Sequence, residues 1–164
     1  MTVYTVTATT RKANTDTVIG KGEAGKVISH GIRTYELLAA ASASTIDFGN
    51  IPSNARIAGC SRLYWDDLAT SGSPTLDIGL FAVDANITDD DDAINDGLAL
   101  SAVSTAMAGN IVVKDIANFG KQAWEFVNGQ TTDPKGVLKI KGTTKDASTT
   151  ATGTVTLDLY YTID

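Results

Sequence analysis

The order of apolar and polar residues predicts β-strands along most of the chain. Residues 154–163 give the clearest case, because Val155, Leu157, Leu159, Tyr161 and Ile163 alternate with polar residues, the period of a half-buried strand. Several short strands with turn signals between them indicate an all-β sandwich. Further strands are predicted at residues 2–10, 26–38, 45–48, 55–65, 76–83, 111–114, 123–127 and 136–141.

Residues 44–84 form the block around which the rest of the chain is organised. Residues 49–54 predict a turn, since Pro52 presets φ and the flanking Gly and Asn residues tolerate left-handed conformations. A long strand is predicted over residues 55–65, with Ile57, Leu63 and Trp65 on one face. Residues 69–74 then connect it to a third strand at residues 76–83.

The chain divides into an extended N-terminal arm, residues 1–26, and a β-sandwich domain, residues 27–164. The arm is polar and rich in glycine, which argues against an independent folded unit. Residues 26–38 have two faces of mixed polarity, so an edge or interface strand is predicted there. Residues 37–44 fit a loop or a helical turn, and residues 143–153 predict a mobile loop.

One short helix is predicted at residues 89–95. Thr88 is a suitable N-cap, and the four aspartates that follow it suit the positive end of a helix dipole. Ala93, Ile94 and Leu98 fall at helical spacing, although Gly97 weakens the pattern.

Composition limits the classes of function. The net charge of −6 and a pI near 4.6 argue against a nucleic-acid binder, because such proteins carry basic stripes. No apolar run approaches the ~20 residues of a membrane-spanning helix. We expect no secretory signal, because no basic and apolar leader follows Met1, and synthesis in a cytoplasm.

The charges are distributed unevenly. Residues 63–113 contain nine Asp and neither Lys nor Arg, whereas the arm is mildly basic through Arg11, Lys12, Lys21 and Lys26. A basic arm beside an acidic body suits docking between subunits, and a solvated acidic surface is the simpler interpretation.

Single residues with reactive side chains have ordinary explanations. Cys60 has no second cysteine to pair with and is predicted to be a small buried apolar residue. His30 is the one histidine, and no Gly-x-Ser-x-Gly elbow accompanies it, so a surface or interface position is predicted.

Two stretches resemble ligand-binding loops but depart from them. Residues 20–26 fit a phosphate-binding loop until Val27, which stands where a Ser or Thr should reach Mg²⁺. Residues 84–95 alternate oxygen side chains as a calcium loop does, yet Asp89 and Asn95 occupy the positions that need Gly and Glu. The sequence leaves open the binding of an adventitious cation near residues 89–92.

Asp66 and Asp67, after Tyr64 and Trp65, fit a carboxylate pair, a carbohydrate-binding groove or the end of a strand. The last is the default interpretation. Residues 86–88 form a glycosylation sequon, which has no meaning without a secretory route.

Three segments resemble a family of small structural proteins of tailed bacteriophages: residues 46–57 (IDFGNIPSNARI), 76–84 (LDIGLFAVD) and 152–164 (TGTVTLDLYYTID). In that family a Gly-x-hydrophobic-Pro turn leads into a long central strand. An aromatic ending closes the chain, matched here by Tyr161 and Asp164. The resemblance covers residues 44–164.

The resemblance implies an antiparallel jelly-roll-like β-sandwich and a capsid decoration (cement) protein on the virion surface. It implies no catalytic residue, cofactor or metal. The expected partners are the major capsid protein and further copies of the chain in a homotrimer, with the arm reaching neighbouring capsid subunits, and neither nucleic acid nor membrane.

Two other functions compete with this expectation. A receptor- or glycan-binding module of a fibre or tail would use Tyr64, Trp65, Asp66 and Asp67 as its contact patch. A hydrolase would use His30 or the Asp66–Asp67 pair, and its turnover would disappear in His30→Ala or Asp66→Asn.

Overall fold

The computed structural model describes residues 5–7, 28–102, 110–111 and 116–163. These residues form ten strands: β1 (Thr5–Thr7), β2 (Ile28–Leu37), β3 (Thr45–Pro52), β4 (Ala55–Ile57), β5 (Arg62–Trp65), β6 (Thr75–Ala82), β7 (Asp90–Ala99), β8 (Asn110–Ile111), β9 (Val137–Lys145) and β10 (Gly153–Ile163).

The strands assemble into two sheets, so the prediction of a β-sandwich is confirmed. One sheet has the order β1-β3-β9-β6-β7 and the other β2-β10-β5-β8, with β4 also paired to β10. From β2 onward the strands cross back and forth between the sheets, and all of these pairs are antiparallel. This is the strand order of two interleaved Greek keys, as in a jelly roll.

Apolar side chains from both sheets meet in one core. In β10 the alternation predicted from sequence is confirmed for Val155, Leu157 and Leu159, which are buried, but Ile163 at the end of the strand is 41% exposed. The largest fully buried side chains are Leu37, Ile46, Ile51, Leu63, Leu68, Leu76, Ile78, Leu80, Leu100, Leu138, Ile140 and Leu157.

The long strand predicted over residues 55–65 is two strands, β4 and β5. A tight turn separates them, in which the Ser61 amide donates to the Ala58 carbonyl at 3.0 Å. The predicted core face survives the break, because Ile57, Leu63 and Trp65 are buried. Cys60 lies in this turn and is exposed, so the prediction of a buried cysteine is wrong.

The helix predicted at residues 89–95 is also wrong, because this stretch belongs to β7. A spacing of four residues between Ile94 and Leu98 fits one face of a strand as well as one face of a helix. Pairing with β6 decides between them, and Leu98 lies opposite Leu76 in the register. The described residues contain no α-helix, and 3₁₀ turns lie at Ile116–Asn118 and Ala123–Phe126.

Two smaller predictions need correction. The stretch predicted as a strand at residues 123–127 is instead the second of these 3₁₀ turns, Ala123–Phe126, with Glu125 accepting a hydrogen bond from the Gln122 amide. The loop predicted over residues 143–153 is shorter, because β9 continues to Lys145. Thr149 in the remaining loop is fully buried and bonds the backbone of Ala40.

β2 is an edge strand, as its mixed polarity predicts, and residues 38–44 after it form an irregular connection. Most of the arm, residues 1–4 and 8–26, lies outside the described residues, so its extended form stays a prediction. Its three described residues, β1, pair in parallel with β3.

Candidate functional site

His30 lies on the outer surface of the sheet that contains β2, β10 and β5. Its Nε2 atom lies 2.6 Å from Asp158 Oδ1, and its ring stacks on Tyr160 with centroids 4.1 Å apart and an interplanar angle of 12°. Burial, followed by the nearby Asp158 charge, raises the pKa of Tyr160. His30 therefore lies on a half-exposed surface, where the sequence predicts it.

This histidine–carboxylate pair would supply two of the three members of a catalytic triad, and neither Ser29 nor Ser61 supplies the third. Ser29 is next to His30 on a strand and so points to the opposite face. The Ser61 hydroxyl donates to the Tyr160 carbonyl at 3.0 Å and accepts from the Tyr160 amide at 2.9 Å. Ser29 thus points away from the imidazole, and the Ser61 hydroxyl is taken up by the Tyr160 backbone.

The stretch from Tyr64 to Asp67 is built as structure. Trp65 is 6% exposed, and its Nε1 donates to the Ala102 carbonyl at 2.9 Å. Asp66 accepts from the amide and hydroxyl of Thr154 at 2.7 and 2.9 Å, and these bonds lower the pKa of Asp66. Asp67 accepts from the Ala69 amide at 3.1 Å.

These contacts argue against residues 64–67 as the contact patch of a glycan-binding module. A sugar ring would need the face of Trp65, which is packed in the core. Both carboxylates accept hydrogen bonds from neighbouring protein groups, which gives them a structural role at the end of the strand. The end of a strand turning into a loop is the interpretation that the geometry supports.

The strongest concentration of charge is the acidic corner, which we define as residues 89–92. Carboxylate oxygens of Asp90, Asp91 and Asp92 lie within 4.8 Å of one another, close enough to share a cation. The hydrogen bond between Asp92 and Asp90 is the main cause of a raised pKa of Asp92, because it favours the protonated acid.

Protein groups already satisfy much of this corner. Asp89 accepts from the Ala82 amide at 2.8 Å, Asp90 from the Asn128 amide at 2.7 Å, and Asp91 from the ammonium of Lys145 at 2.5 Å. The residues form a bulged strand rather than the loop of a calcium site. The arrangement ties neighbouring segments together, and a cation would have to compete with these partners.

Asp77 lies behind the acidic corner and is 5% exposed. It accepts from the Gly97 amide at 2.9 Å and lies 3.8 Å from the Lys145 ammonium. Burial raises the pKa of Asp77, because the charged form loses its solvation, and the nearby Asp96 charge adds to the shift. Lys145 thus holds two carboxylates, the buried Asp77 and the half-exposed Asp91.

Sequence reasoning did not find the Asp77–Lys145 and His30–Asp158 contacts. Each joins residues far apart in the chain, and no local pattern signals such a pairing. A polar residue within the apolar run of residues 76–83 is the one signal that could have pointed to Asp77. The glycine-rich residues 20–26 lie outside the described residues.

Among the described residues, no helix has the length and apolar character needed to cross a membrane. Asn86, the acceptor position of the sequon, is exposed.

Two solved structures share this fold. A chain from the capsid of Ralstonia phage GP4 matches with a TM-score of 0.59 and 17% sequence identity, over 98% of both chains. A chain from the capsid asymmetric unit of cyanophage Pam1 matches with a TM-score of 0.58 and 15% identity, covering 95% of this chain and 99% of that chain. No protein-family model and no curated protein matches the sequence.

At these identities the likeness establishes a shared fold. Because the match spans nearly the full length of each partner, it concerns the whole sandwich and not a common fragment. The fold is that of a β-sandwich of the kind present in these capsids.

Proposed function

We propose that this chain is a non-enzymatic structural protein of a tailed-phage virion, located in the capsid. The observation that carries the proposal is the pair of full-length fold matches to chains of two phage capsids. The family resemblance of residues 44–164 supports the same class. Fold alone does not assign a function, so the site chemistry has to agree with it.

The side chains with catalytic potential support a structural role. Asp66 and Asp91 each bond a group in a distant segment, and Asp67 bonds the Ala69 amide within its own turn. His30 is held by a carboxylate and by an aromatic ring. Groups engaged in this way stabilise the sandwich.

Within the capsid we propose the role of a decoration protein, which stabilises the head by bridging subunits of the major capsid protein. The acidic body and the basic residues of the arm support this role, since opposite charges favour docking between neighbours. The same proposal includes a homotrimer and residence on the outer surface of the virion.

The decisive experiment adds the purified chain to phage shells that lack it. We expect saturable binding of several hundred copies per shell, and a higher temperature of shell disruption. Binding should need the assembled shell rather than free major capsid protein. A chain that leaves the disruption temperature unchanged, or that is present in a dozen copies or fewer, contradicts decoration.

Two matched double variants test whether the basic residues of the arm contribute to shell binding. Charge reversal by Lys21→Glu and Lys26→Glu should weaken shell binding, and more strongly at low salt, because screening reduces charge attraction. Lys135→Glu and Lys121→Glu give the same charge change on the described body. Equal losses from both double variants would remove the arm from the proposal. Native mass measurement tests the trimer.

A further inference from the structure

The two sheets have four edges, and the edges differ in their protection. β1 covers the edge of β3, and β8 has two described residues. β7 carries register shifts at two places and the charges of the acidic corner. Bulges and charges are the devices by which proteins keep sheet edges from pairing with other chains.

β2 lacks these devices. Its ten residues pair with β10 in one unbroken register, from Ile28 opposite Thr162 to Leu37 opposite Gly153. In the described part of the chain, β10 is the one strand that β2 pairs with. The strand contains neither proline nor a bulge, so its second edge is a regular template for another strand.

The side chains on the outer face of β2 add an apolar centre. Ile32 lies at the middle of the strand and is 52% exposed, between the outward-facing His30 and Thr34. A single exposed isoleucine is common on protein surfaces. Its position on a regular edge strand is the feature that suggests a partner.

We propose that β2 pairs antiparallel with β2 of a second copy of this chain, with the two-fold axis at Ile32. The inference rests on the proposed function only for the place where the contact acts, between neighbouring copies on a capsid. Such a contact is compatible with a homotrimer, because it would join copies that belong to two trimers.

The register follows from the strand's own residues. Facing residues share a sheet face, so a symmetric pairing centres on one residue. Centring on Ile32 buries its side chain against its own copy and places His30 opposite Thr34 and Gly31 opposite Arg33. Glu36 of the second copy then lies diagonal to His30, a separation that long side chains can span.

The neighbouring registers are less favourable. Centring on Arg33 sets two guanidinium groups opposite each other, which is destabilising. Centring on Gly31 shortens the paired segment, because the strand begins at Ile28. The register centred on Ile32 is therefore the one that pairs most of the strand without opposing like charges.

Disulfide trapping in the full chain tests this register. Cys60 is exposed, so a Cys60→Ser background removes its reaction. With Ile32→Cys the two thiols lie on the axis, with Cβ atoms about 4.5–5.5 Å apart, and mild oxidation should give a covalent dimer. Thr34→Cys is the matched control, because its copies are about 13 Å apart along the strand.

We expect the Ile32→Cys variant to cross-link at least about tenfold faster than the Thr34→Cys variant, given the distance limit for a disulfide. Equal rates at the two positions would indicate random collision and overturn the proposal. No cross-link at either position, with both thiols shown to be accessible, would also overturn it and leave the edge to another occupant, such as residues 8–27.

A second measurement does not depend on added cysteines. The average mass of the wild-type chain in solution should rise with its concentration. In Ile32→Lys the largest species should have half the mass of the largest wild-type species, because the lysine charge would be buried at the two-fold axis. An unchanged mass distribution in that folded variant contradicts the pairing. Neither experiment contains shells, so failure here leaves the decoration proposal standing, and failure of shell binding leaves this contact standing.

Discussion

β2 and β7 are edge strands of equal length, ten residues each, in opposite sheets. β2 follows its neighbour in an unbroken register. β7 deviates twice from the register of β6: one extra residue lies between the partners of Leu76 and Ile78, and three lie between the partners of Ile78 and Leu80. Among the described residues, the β2 edge is therefore regular and the β7 edge is irregular.

The irregular path of β7 depends on β6, its neighbour in the same sheet. The bulged segment passes so close to β6 that a Cβ atom on Gly79 would lie 2.3 Å from the Asp90 carbonyl oxygen and 2.4 Å from Asp91 Cα. Gly97, with φ of 69°, supplies the left-handed residue at the other deviation. Lys145 then binds Asp91 and Asp77. At the β7 edge, bulged backbone geometry and charged side chains thus occur together.

The largest expected loss of stability comes from adding a side chain at Gly79, where β6 lies against the bulged part of β7. Gly79→Val should lower the free energy of unfolding by about 3 kcal/mol or more, because backbone atoms cannot move aside as a flexible side chain would. Gly31→Val on β2 is the matched control, since a Cβ there has nothing within 4 Å. Chemical denaturation measures both, and similar losses would contradict the difference between the edges.

Removing the ammonium that joins the two carboxylates should have a smaller effect. We expect Lys145→Met to cost about 1–2 kcal/mol, because Asp77 is left buried near Asp91 and Asp96 without an opposing charge. Lys139→Met is the control on the same strand, where the lysine pairs with Asp47 alone at 2.8 Å. A cost no greater than that of the control would contradict the role of Lys145 in holding both carboxylates.

The Lys145→Met cost should also depend on pH. The raised pKa of Asp77 means that its charge destabilises the folded chain at neutral pH, and protonation relieves this as the pH falls through the raised value. The cost of Lys145→Met should therefore shrink on acidification towards pH 4. A cost that is constant between pH 7 and pH 4 would place the effect in packing rather than charge.

The smallest effects on the free energy of unfolding should come from Asp66→Asn and Asp77→Asn, and the two should have opposite signs. Asp66→Asn, beside β10, should destabilise by about 1 kcal/mol at pH 7, since hydrogen bonds to a charged, exposed carboxylate are lost. The pKa of Asp66 is lowered, so this contribution exists above the unfolded pKa and disappears as the pH falls through the folded value.

Asp77→Asn, beneath β7, should instead leave stability unchanged or raise it by less than about 1 kcal/mol at neutral pH, because it mimics the protonated acid. The two asparagine variants should thus converge with the wild-type chain in acid from opposite directions. Thermal unfolding across pH 3–7 measures both. A destabilised Asp77→Asn variant at pH 7 would show that its contact with Lys145 outweighs its burial.

The amino-acid sequence determined the class of fold. Alternating residues such as Val155 and Leu157 have one apolar face, and a chain of such strands buries those faces by stacking two sheets. The edge position of β2 also followed from its mixed faces. These features depend on neighbours within one strand, so a local pattern carries them.

Tertiary structure decided the features that join distant segments. Residues 89–95 carry helix signals, and pairing with β6 across Gly79 made them a strand, because a ladder of hydrogen bonds and the burial of Leu98 outweigh a weak local propensity. Cys60 became exposed when a turn divided the predicted long strand. His30 met Asp158, and Lys145 met Asp77, because sheet register sets these contacts and register is a property of the assembled sandwich.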